Sequence, residues 1–389
     1  MSEHRVTIGV DARAATEVAA GRGRLVRELL RALTARDDDV DYLLFARTRW
    51  EEPLDPRFTW ALLGASEVEW HLRVGSVATR RCDAFLATNS YLSPIFVRAP
   101  TVLIVYDLVA LDRSTSPSRR GAIIERLTIA PATRRAARLV CISQATADAL
   151  IAREPDVVDR VHVAPLAASP PADPPAPEEL TSLPQPGFVL AVGTLEPRKN
   201  LPRLVEAYRR LPLELQRAHP LVVVGGRGWR AGETMRALDS LGDRLLALGH
   251  VSDAALQELY RRCGAFCYPS LAEGFGLPIL EAMAAGAPVL TSSVSSMPEV
   301  GGDAALYADP YDVGAIADQL QALLEDPALR DRLRRMGPRR AAAFSWDRFA
   351  DGVLDALRAT LDPALGARLR PSPAAADQPP AGTPASTSA

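Results

Sequence analysis

Two short segments hold the residue types that could bind and activate a phosphorylated ligand. The first reads Gly193-Thr194-Leu195-Glu196-Pro197-Arg198-Lys199-Asn200. Arg198 can fork onto phosphate oxygens, and Lys199 adds a compact positive charge. The pair stands out against the chain's own composition. Of the 45 lysines and arginines a single one is lysine, Lys199, and asparagine occurs only as Asn89 and Asn200. Adjacent survivors of so strong a bias are conspicuous, although an Arg-Lys pair in isolation is ordinarily a solvated turn. The second segment runs Ser270-Leu271-Ala272-Glu273-Gly274-Phe275-Gly276-Leu277-Pro278-Ile279-Leu280-Glu281. Gly274 and Gly276 strip side chains from a turn, so that backbone N–H groups can approach a ligand closely. Pro278 suits the first turn of a helix, and the positive end of a helix favours phosphate. Glu273 and Glu281 would repel phosphate, so their chemistry is to accept hydrogen bonds from sugar hydroxyls. Helical side chains lean toward the N-terminus, which lets Glu281, read as lying in the first turn, share a pocket with Glu273 and Lys199. The plainer alternative is a capped surface helix with incidental glutamates, which needs no glycines on both sides of an aromatic.

Both segments must be held where a strand ends and a helix begins, and the chain supplies that rhythm twice. Strand runs are predicted at 6–10, 42–45, 84–87, 102–105, 139–142 and 161–163, with helices over 24–34 and 144–152, the latter capped by Ser143. A proline-rich stretch from Pro165 to Gly187 excludes helix interior and central strand and predicts an extended linker. The rhythm then restarts, with strands at 188–192, 221–224, 245–248, 265–268, 288–291 and 305–307 and helices at 201–211, 253–263, 278–285 and 313–324. The fold class is therefore α/β, two Rossmann-like parallel-sheet domains facing each other across a cleft. The boundaries are an N-terminal domain over 1–170, the linker over 171–186, a second domain over 187–345, a last helix over 346–361 and a disordered Pro/Ala/Ser tail over 362–389.

Composition excludes several function classes. The 45 basic and 47 acidic residues leave a formal net charge of -2, too little for a general nucleic-acid coat. No apolar run reaches the roughly 20 residues of a membrane span, and the start of the chain lacks the apolar core of a signal peptide. Four cysteines make no disulfide framework, so the cytoplasm is the expected compartment, with a peripheral position at the inner face of the membrane as the second placement. The five histidines and the Cys263-x3-Cys267 pair show no metal-ligand spacing, so no metal is expected. The arginine-rich stretch Arg24–Arg36 could meet an anionic membrane surface, but its own acids and Asp37–Asp39 favour a solvated face. Leu221-Val222-Val223-Val224-Gly225-Gly226-Arg227-Gly228 misses the dinucleotide fingerprint and reads as a strand-end turn bordering the nucleotide.

The GTLEPRKN segment together with EGFGLPILEAMAAGAPVLTSSVSSMPEVGG resembles the retaining glycosyltransferases of family 4 (group 1), which have the GT-B fold, and leans toward bacterial mannosyltransferases. Glu273-x7-Glu281 is similar to that group's E-x7-E motif. The resemblance covers about residues 6–360. It implies that 1–170 is the acceptor-side domain, that 187–345 is the nucleotide-sugar-binding domain and that the helix over 346–361 crosses back to the first domain. It also implies a role for each matching position. Glu273 contacts the donor sugar and Glu281 holds the ribose. Gly274, Phe275, Gly276 and Leu277 line sugar and diphosphate, while Arg198 and Lys199, beside Gly193 and Thr194, neutralise the diphosphate. Catalysis falls to Glu273, Arg198 and Lys199, with no cofactor or metal and with a nucleotide-diphosphate sugar as co-substrate. The acceptor is a glycan, a lipid-linked or a small-molecule hydroxyl.

In the first half, Gly21 and Gly23 of Gly21-Arg22-Gly23-Arg24 resemble the family's glycine-rich turn, with a plain loop as the alternative. Tyr106-Asp107 stands where many members have His-Asp. A phenol can hydrogen-bond a sugar hydroxyl but is a poor base near neutral pH, and the alternative is a tyrosine that packs the domain interface. Two other functions fit the same residues: a non-catalytic nucleotide-sugar-binding partner of another transferase, and a GT-B sugar-nucleotide epimerase. The epimerase would need acid and base groups in the cleft.

Overall fold

Aliphatic runs without alternation, such as Leu221-Val222-Val223-Val224, become strands buried on both faces, as a parallel sheet covered by helices requires. The computed structural model describes residues 5–369 apart from 19–20, 65, 109–118 and 171. The chain forms two compact units, one built from the residues up to Leu166 and again from Ser345, the other from Ala167–Phe344.

In the first unit the elements are β1 (Val6–Asp11), α1 (Arg13–Glu17), α2 (Arg22–Thr34), β2 (Val40–Ala46), β3 (Phe58–Leu62), α3 (Glu67–Arg81), β4 (Ala84–Ala87), α4 (Ser93–Phe96), β5 (Thr101–Val105), α5 (Arg119–Arg135), β6 (Arg138–Cys141), α6 (Gln144–Arg153) and β7 (Val161–Val163). The described strands are all parallel in the order β3-β2-β1-β4-β5-β6-β7. Ser143 caps α6 as expected, accepting from the Thr146 N–H at 3.0 Å. Edge strand β3 and helix α3 are not among the elements that the sequence pattern predicts. Phe58 alone of the β3 residues is buried, so the strand carries no continuous apolar run to announce it.

The second unit contains α7 (Pro177–Ser182), β8 (Val189–Val192), α8 (Leu201–Arg210), α9 (Leu213–Ala218), β9 (Leu221–Val224), α10 (Gly232–Asp239), β10 (Leu245–Gly249), α11 (Asp253–Arg262), β11 (Ala265–Tyr268), α12 (Leu277–Ala284), β12 (Val289–Ser292), α13 (Met297–Gly301), β13 (Ala305–Ala308), α14 (Val313–Glu325) and α15 (Pro327–Ala341). Its described strands are parallel and run β10-β9-β8-β11-β12-β13. The order reverses between β8 and β11, and the carboxyl ends of two such neighbours are where open α/β sheets bind ligands. The chain then adds α16 (Trp346–Arg358) and α17 (Pro363–Gly366) to the first unit.

Three expectations are corrected here. The linker expected over 171–186 contains α7, because Pro177 sits in the first turn, where a missing N–H removes no helical bond. The first unit ends at Leu166 rather than at 170, since the following residues are tied to the second: the Ala172 N–H donates to Gln257 at 2.9 Å and Gln257 donates to the Pro170 carbonyl at 3.0 Å. The tail expected from 362 begins with order. Asp362 caps α17 through the Ala364 N–H at 3.0 Å, and Leu369 is buried while its carbonyl accepts from Arg358. Residues 370–389 lie outside the described ones.

Helix α16 packs on α2, where Arg36 donates to the Asp351 carboxylate at 2.6 Å and to the Asp347 carbonyl at 2.8 Å. The arginines of the α2 stretch have partners inside the unit. Arg27 donates to the Ala15 and Val18 carbonyls, and Arg31 pairs with Glu28 and Glu52. Among the described residues, no helix is long and apolar enough to cross a membrane.

Gly23 is demanded by the approach of α2 to the end of α1: a Cβ there would lie 1.7 Å from the Val18 carbonyl oxygen. Gly23→Ala should therefore destabilise the first unit by about 2 kcal/mol or more, as overpacking against a backbone does, a Tm fall of roughly 4–8 °C by thermal melting. An unchanged Tm would mean that α1 yields without penalty.

Candidate functional site

The sequence places Gly193 just past β8 and Ser270 just past β11, and these strands are neighbours in the sheet. Lys199 and Glu273, 74 residues apart, are thereby brought into contact. The Glu273 carboxylate, 9% exposed, accepts from Lys199 Nζ at 2.7 Å and from the Tyr268 hydroxyl at 2.9 Å on Oε1, while Oε2 accepts from Arg198. Lys199 also donates to the Tyr268 oxygen at 2.5 Å, which closes a triangle of lysine, phenol and carboxylate. Arg198 is gripped from its other side by Glu196, with Nη2 and Nε at 2.7 and 2.9 Å from Oε1, and Trp229 Nε1 donates to the second oxygen of Glu196 at 3.0 Å.

The electrostatics follow from this packing. Burial pushes the Glu273 carboxyl up, but the Lys199 and Arg198 charges overcome it and hold the group at about 2 rather than the ordinary 4.5. Burial lowers the Lys199 ammonium below its usual value, with the Glu273 charge opposing. The Tyr268 phenol is raised by burial and then by the Glu273 carboxylate.

Backbone geometry fixes the loops. Asn200 takes a left-handed conformation at φ 58°, and its buried side chain donates to the Pro269 and Pro310 carbonyls at 3.0 and 2.7 Å. The rare asparagine thus stitches three strand-end loops together, while Lys199 beside it carries the charge. Gly225 stands at φ 145°, where a Cβ would lie 2.1 Å from the Gly193 oxygen, and a Cβ on Gly228 would meet Thr194 at 2.6 Å. Gly225 and Gly228 of the β9 turn therefore let it lie against Gly193 and Thr194. Gly276, at φ 103°, caps α12. After β12, the Ser295 hydroxyl accepts from the Glu273 N–H at 3.2 Å and donates to its carbonyl at 2.7 Å, and Ser296 donates to the Phe275 carbonyl at 2.8 Å.

The remaining expected residues divide. Gly274 lies in the turn before α12 and Leu277 is the first residue of that helix, but the Phe275 ring is buried 5.8 Å from Phe344, so only its backbone can serve a ligand. Glu281 is the fifth residue of α12, in its second turn rather than its first, because the helix begins at Leu277. Its carboxylate accepts from Ser169 at 2.8 Å and from Tyr260 at 3.4 Å, partners distinct from those of Glu273.

In the first unit, Gly21 opens α2 at φ 56° and Gly23 serves helix packing. Tyr106 donates its hydroxyl to the Thr88 carbonyl at 2.6 Å, beneath the Arg22 guanidinium at 5.0 Å from the ring centroid. A sugar hydroxyl could meet that phenol only as a donor to its oxygen. The Asp107 carbonyl accepts from Tyr91 at 3.4 Å. Tyr268, Ser295, Ser296, Glu196, Trp229, Ser169 and Tyr260 were missed by sequence reasoning. Tyr268 alone had a signal, as a polar residue ending an apolar strand. Among the described residues, no group of three His, Cys, Asp or Glu side chains could hold a metal ion.

Two parallel-sheet α/β units of this kind are the architecture of the GT-B fold. Solved structures share it: sucrose-phosphate synthase from Thermosynechococcus elongatus superimposes with a TM-score of 0.71 over 91% of this chain and 98% of its own, at 22% identity. WaaG, a glycosyltransferase involved in lipopolysaccharide biosynthesis, gives 0.66 over 87% and 95%, at 17% identity. Residues 175–340 match the model of the family Glycosyl transferases group 1. The O-antigen chain mannosyltransferase B of Escherichia coli is 43% identical over 175 residues, which is 44% of this chain and 46% of that protein. The chain thus matches less than half the length of that relative.

The depressed carboxyl of Glu273 has a sign that can be checked. Its ionised form contributes stability above pH 4.5 that is lost as pH falls toward 2, roughly 3 kcal/mol in total. In urea titrations, Glu273→Gln should be less stable than wild type at pH 7, and the gap should narrow between pH 5 and pH 3. A gap that stays constant with pH would show that the carboxylate is not held ionised.

Proposed function

We propose that the protein is a retaining glycosyltransferase that moves a hexose from a nucleotide-diphosphate sugar to a hydroxyl acceptor. The observation that carries this is the buried contact of Glu273 with Lys199 and Arg198, at the start of α12 and at the switch point of the sheet. The group 1 domain over 175–340 and the mannosyltransferase relative support the same reading, and they favour a mannosyl donor and a polysaccharide acceptor.

The chemistry turns on charge. When the bond between the anomeric carbon and the diphosphate breaks, its electron pair leaves with the phosphate oxygen and the sugar gains oxocarbenium character. The cluster of Arg198, Lys199, Glu196 and Glu273 is neutral as it stands, so cations must be handed from carboxylate to phosphate. Lys199 has three N–H donors, and its contacts with Tyr268 and Glu273 use two of them. A diphosphate takes the third and shares the Arg198 fork, while the N-terminus of α12 adds its partial charge. Glu273 loses some of its grip on the cations in that exchange and turns lone pairs toward the sugar hydroxyls. Glu281 serves the ribose, exchanging the Ser169 hydroxyl for a ribose hydroxyl. The acceptor oxygen attacks on the face the phosphate leaves, and its proton passes to the departing phosphate oxygen. In this reading the two cations do the work of a divalent metal. The acceptor is taken by the first unit, near Gly21 and Asp107.

With purified protein, GDP-mannose and UDP-glucose as donors and product mass analysis as readout, Glu273→Ala, Arg198→Ala and Lys199→Ala should each lower transfer or donor hydrolysis by about 10²–10³, the loss expected on removing one transition-state charge contact. Near-wild-type rates in any of them would take that residue out of the mechanism. Tight donor binding by wild type without transfer or hydrolysis would instead identify a binding protein. Excess EDTA should leave the wild-type rate unchanged, and strong inhibition would show that a metal is required.

A further inference from the structure

The other end of the six-stranded sheet carries a second concentration of positive charge. Gly187, Gly264 and Gly286 stand just before β8, β11 and β12, at the amino ends of the strands, whereas the Glu273 cluster lies past the carboxyl ends. A cavity of about 630 Å³ opens there with these glycines in its wall, a size usual for small-molecule sites. Gly264 is required by close approach, since a Cβ would lie 2.6 Å from the Gly187 oxygen; Gly187 and Gly286 hold φ +105° and +78°, where a Cβ would find its nearest neighbour 3.9 Å away. Their N–H groups are engaged: those of Gly187, Gly264 and Gly286 donate to the Arg262, Phe188 and Met283 carbonyls at 2.8, 2.8 and 3.0 Å. Recognition in this cavity therefore falls on side chains.

Those side chains are predominantly cationic. Arg261, Arg262, Arg330 and Arg334 line the cavity, and Glu258 is the one acid among its lining residues. Glu258 accepts from Arg261 at 3.2 Å and from Arg262 at 2.7 Å, one on each oxygen. Arg330 is anchored by Nη1 on the Leu323 carbonyl at 2.9 Å and on that of Leu324, and Arg334 by Nη2 on the Cys263 carbonyl at 3.3 Å. Each guanidinium has five N–H donors, and these contacts use one or two of them. Four guanidiniums against one carboxylate leave a surplus of three positive charges in a concavity, on a chain whose formal net charge is -2. Like charges gathered in a shared hollow repel one another, and an anion relieves that repulsion.

We propose that this cavity binds a phosphorylated compound, with Arg261, Arg262, Arg330 and Arg334 gripping a phosphate or diphosphate group at a site separate from the one built on Glu273. The assignment does not rest on the catalytic reading. A free phosphorylated metabolite and a phospholipid headgroup present the same chemistry, and the test separates them.

Inorganic pyrophosphate titrated into the full chain by calorimetry should bind at two sites. Arg198→Ala should weaken one of them. Arg261→Ser/Arg334→Ser should weaken the other at least tenfold and leave the Arg198-dependent binding of GDP and UDP unchanged. Arg334 braces a backbone carbonyl, so Arg261→Glu, at a half-exposed side chain, is the variant least able to disturb folding, and a wild-type melting curve would verify that. Flotation with phosphatidylglycerol vesicles is the second arm. Arg261-dependent pyrophosphate binding assigns a free anion, and Arg261-dependent flotation without it assigns a headgroup; either result supports the site. Pyrophosphate binding and flotation that are both indifferent to Arg261→Glu and to the double variant would overturn it.

Discussion

A carboxylate as enclosed as Glu273 is held ionised by the two cations that accompany it, and its charge in turn opposes the lowering that burial imposes on Lys199. This mutual dependence joins the turn after β8 to the loop after β11. Neither segment could hold its charged residue in place by itself. The charged groups of both loops are thus assembled in an arrangement that balances its charges internally. Tyr268 fills the corner between them and supplies a neutral oxygen that accepts from lysine and donates to carboxylate. Preorganisation of this kind lowers the reorganisation that ligand binding has to drive.

Uncharged contacts make the cluster rigid. Asn200 ties its own turn to the loops after β11 and β13, and Ser295 and Ser296 hold the backbone of Glu273 and Phe275 from the β12 side. The loops at this end of the sheet are therefore one interlocked layer, and Gly225 and Gly228 belong to it for steric reasons. A side chain at Gly225 would displace Gly193, and one at Gly228 would displace Thr194. The sequence pattern reads Gly225-Gly226-Arg227-Gly228 as a strand-end turn bordering the nucleotide, and glycines in such a turn serve equally to admit a ligand and to admit another backbone. The tertiary contact accounts for Gly225 and Gly228.

Much of the fold was legible. Every described strand except β3 coincides with a short apolar run that the sequence pattern marks, while β3 escaped because only Phe58 is buried on that edge. Helix α7 escaped because its prolines suggest extended chain, although Pro177 occupies the one helical position that tolerates it. Of the candidate site, Arg198, Lys199 and Glu273 were legible from residue type and from their places at strand ends. The setting of Glu281 was not. Its partners Ser169 and Tyr260 lie 112 and 21 residues away, and neither belongs to a pattern that spacing could pair with a glutamate. Tyr106 shows the reverse case, a residue whose hydroxyl is taken by a backbone carbonyl that the sequence gives no means of foreseeing.

What the sequence determined by itself is local. Periodicity set which stretches are strands and helices, glycine and proline marked where they turn, and the solitary lysine marked where a charge matters. These properties depend on neighbours a few residues away, so they survive without knowledge of the fold. The tertiary structure alone decided which charge meets which. Pairing across 74 or 112 residues depends on strand order, on how closely two turns can pack, and on which groups burial forces to find a partner. Electrostatic energy in a buried site depends on a few ångströms of separation, and separation in space is the quantity that distance along the chain does not carry.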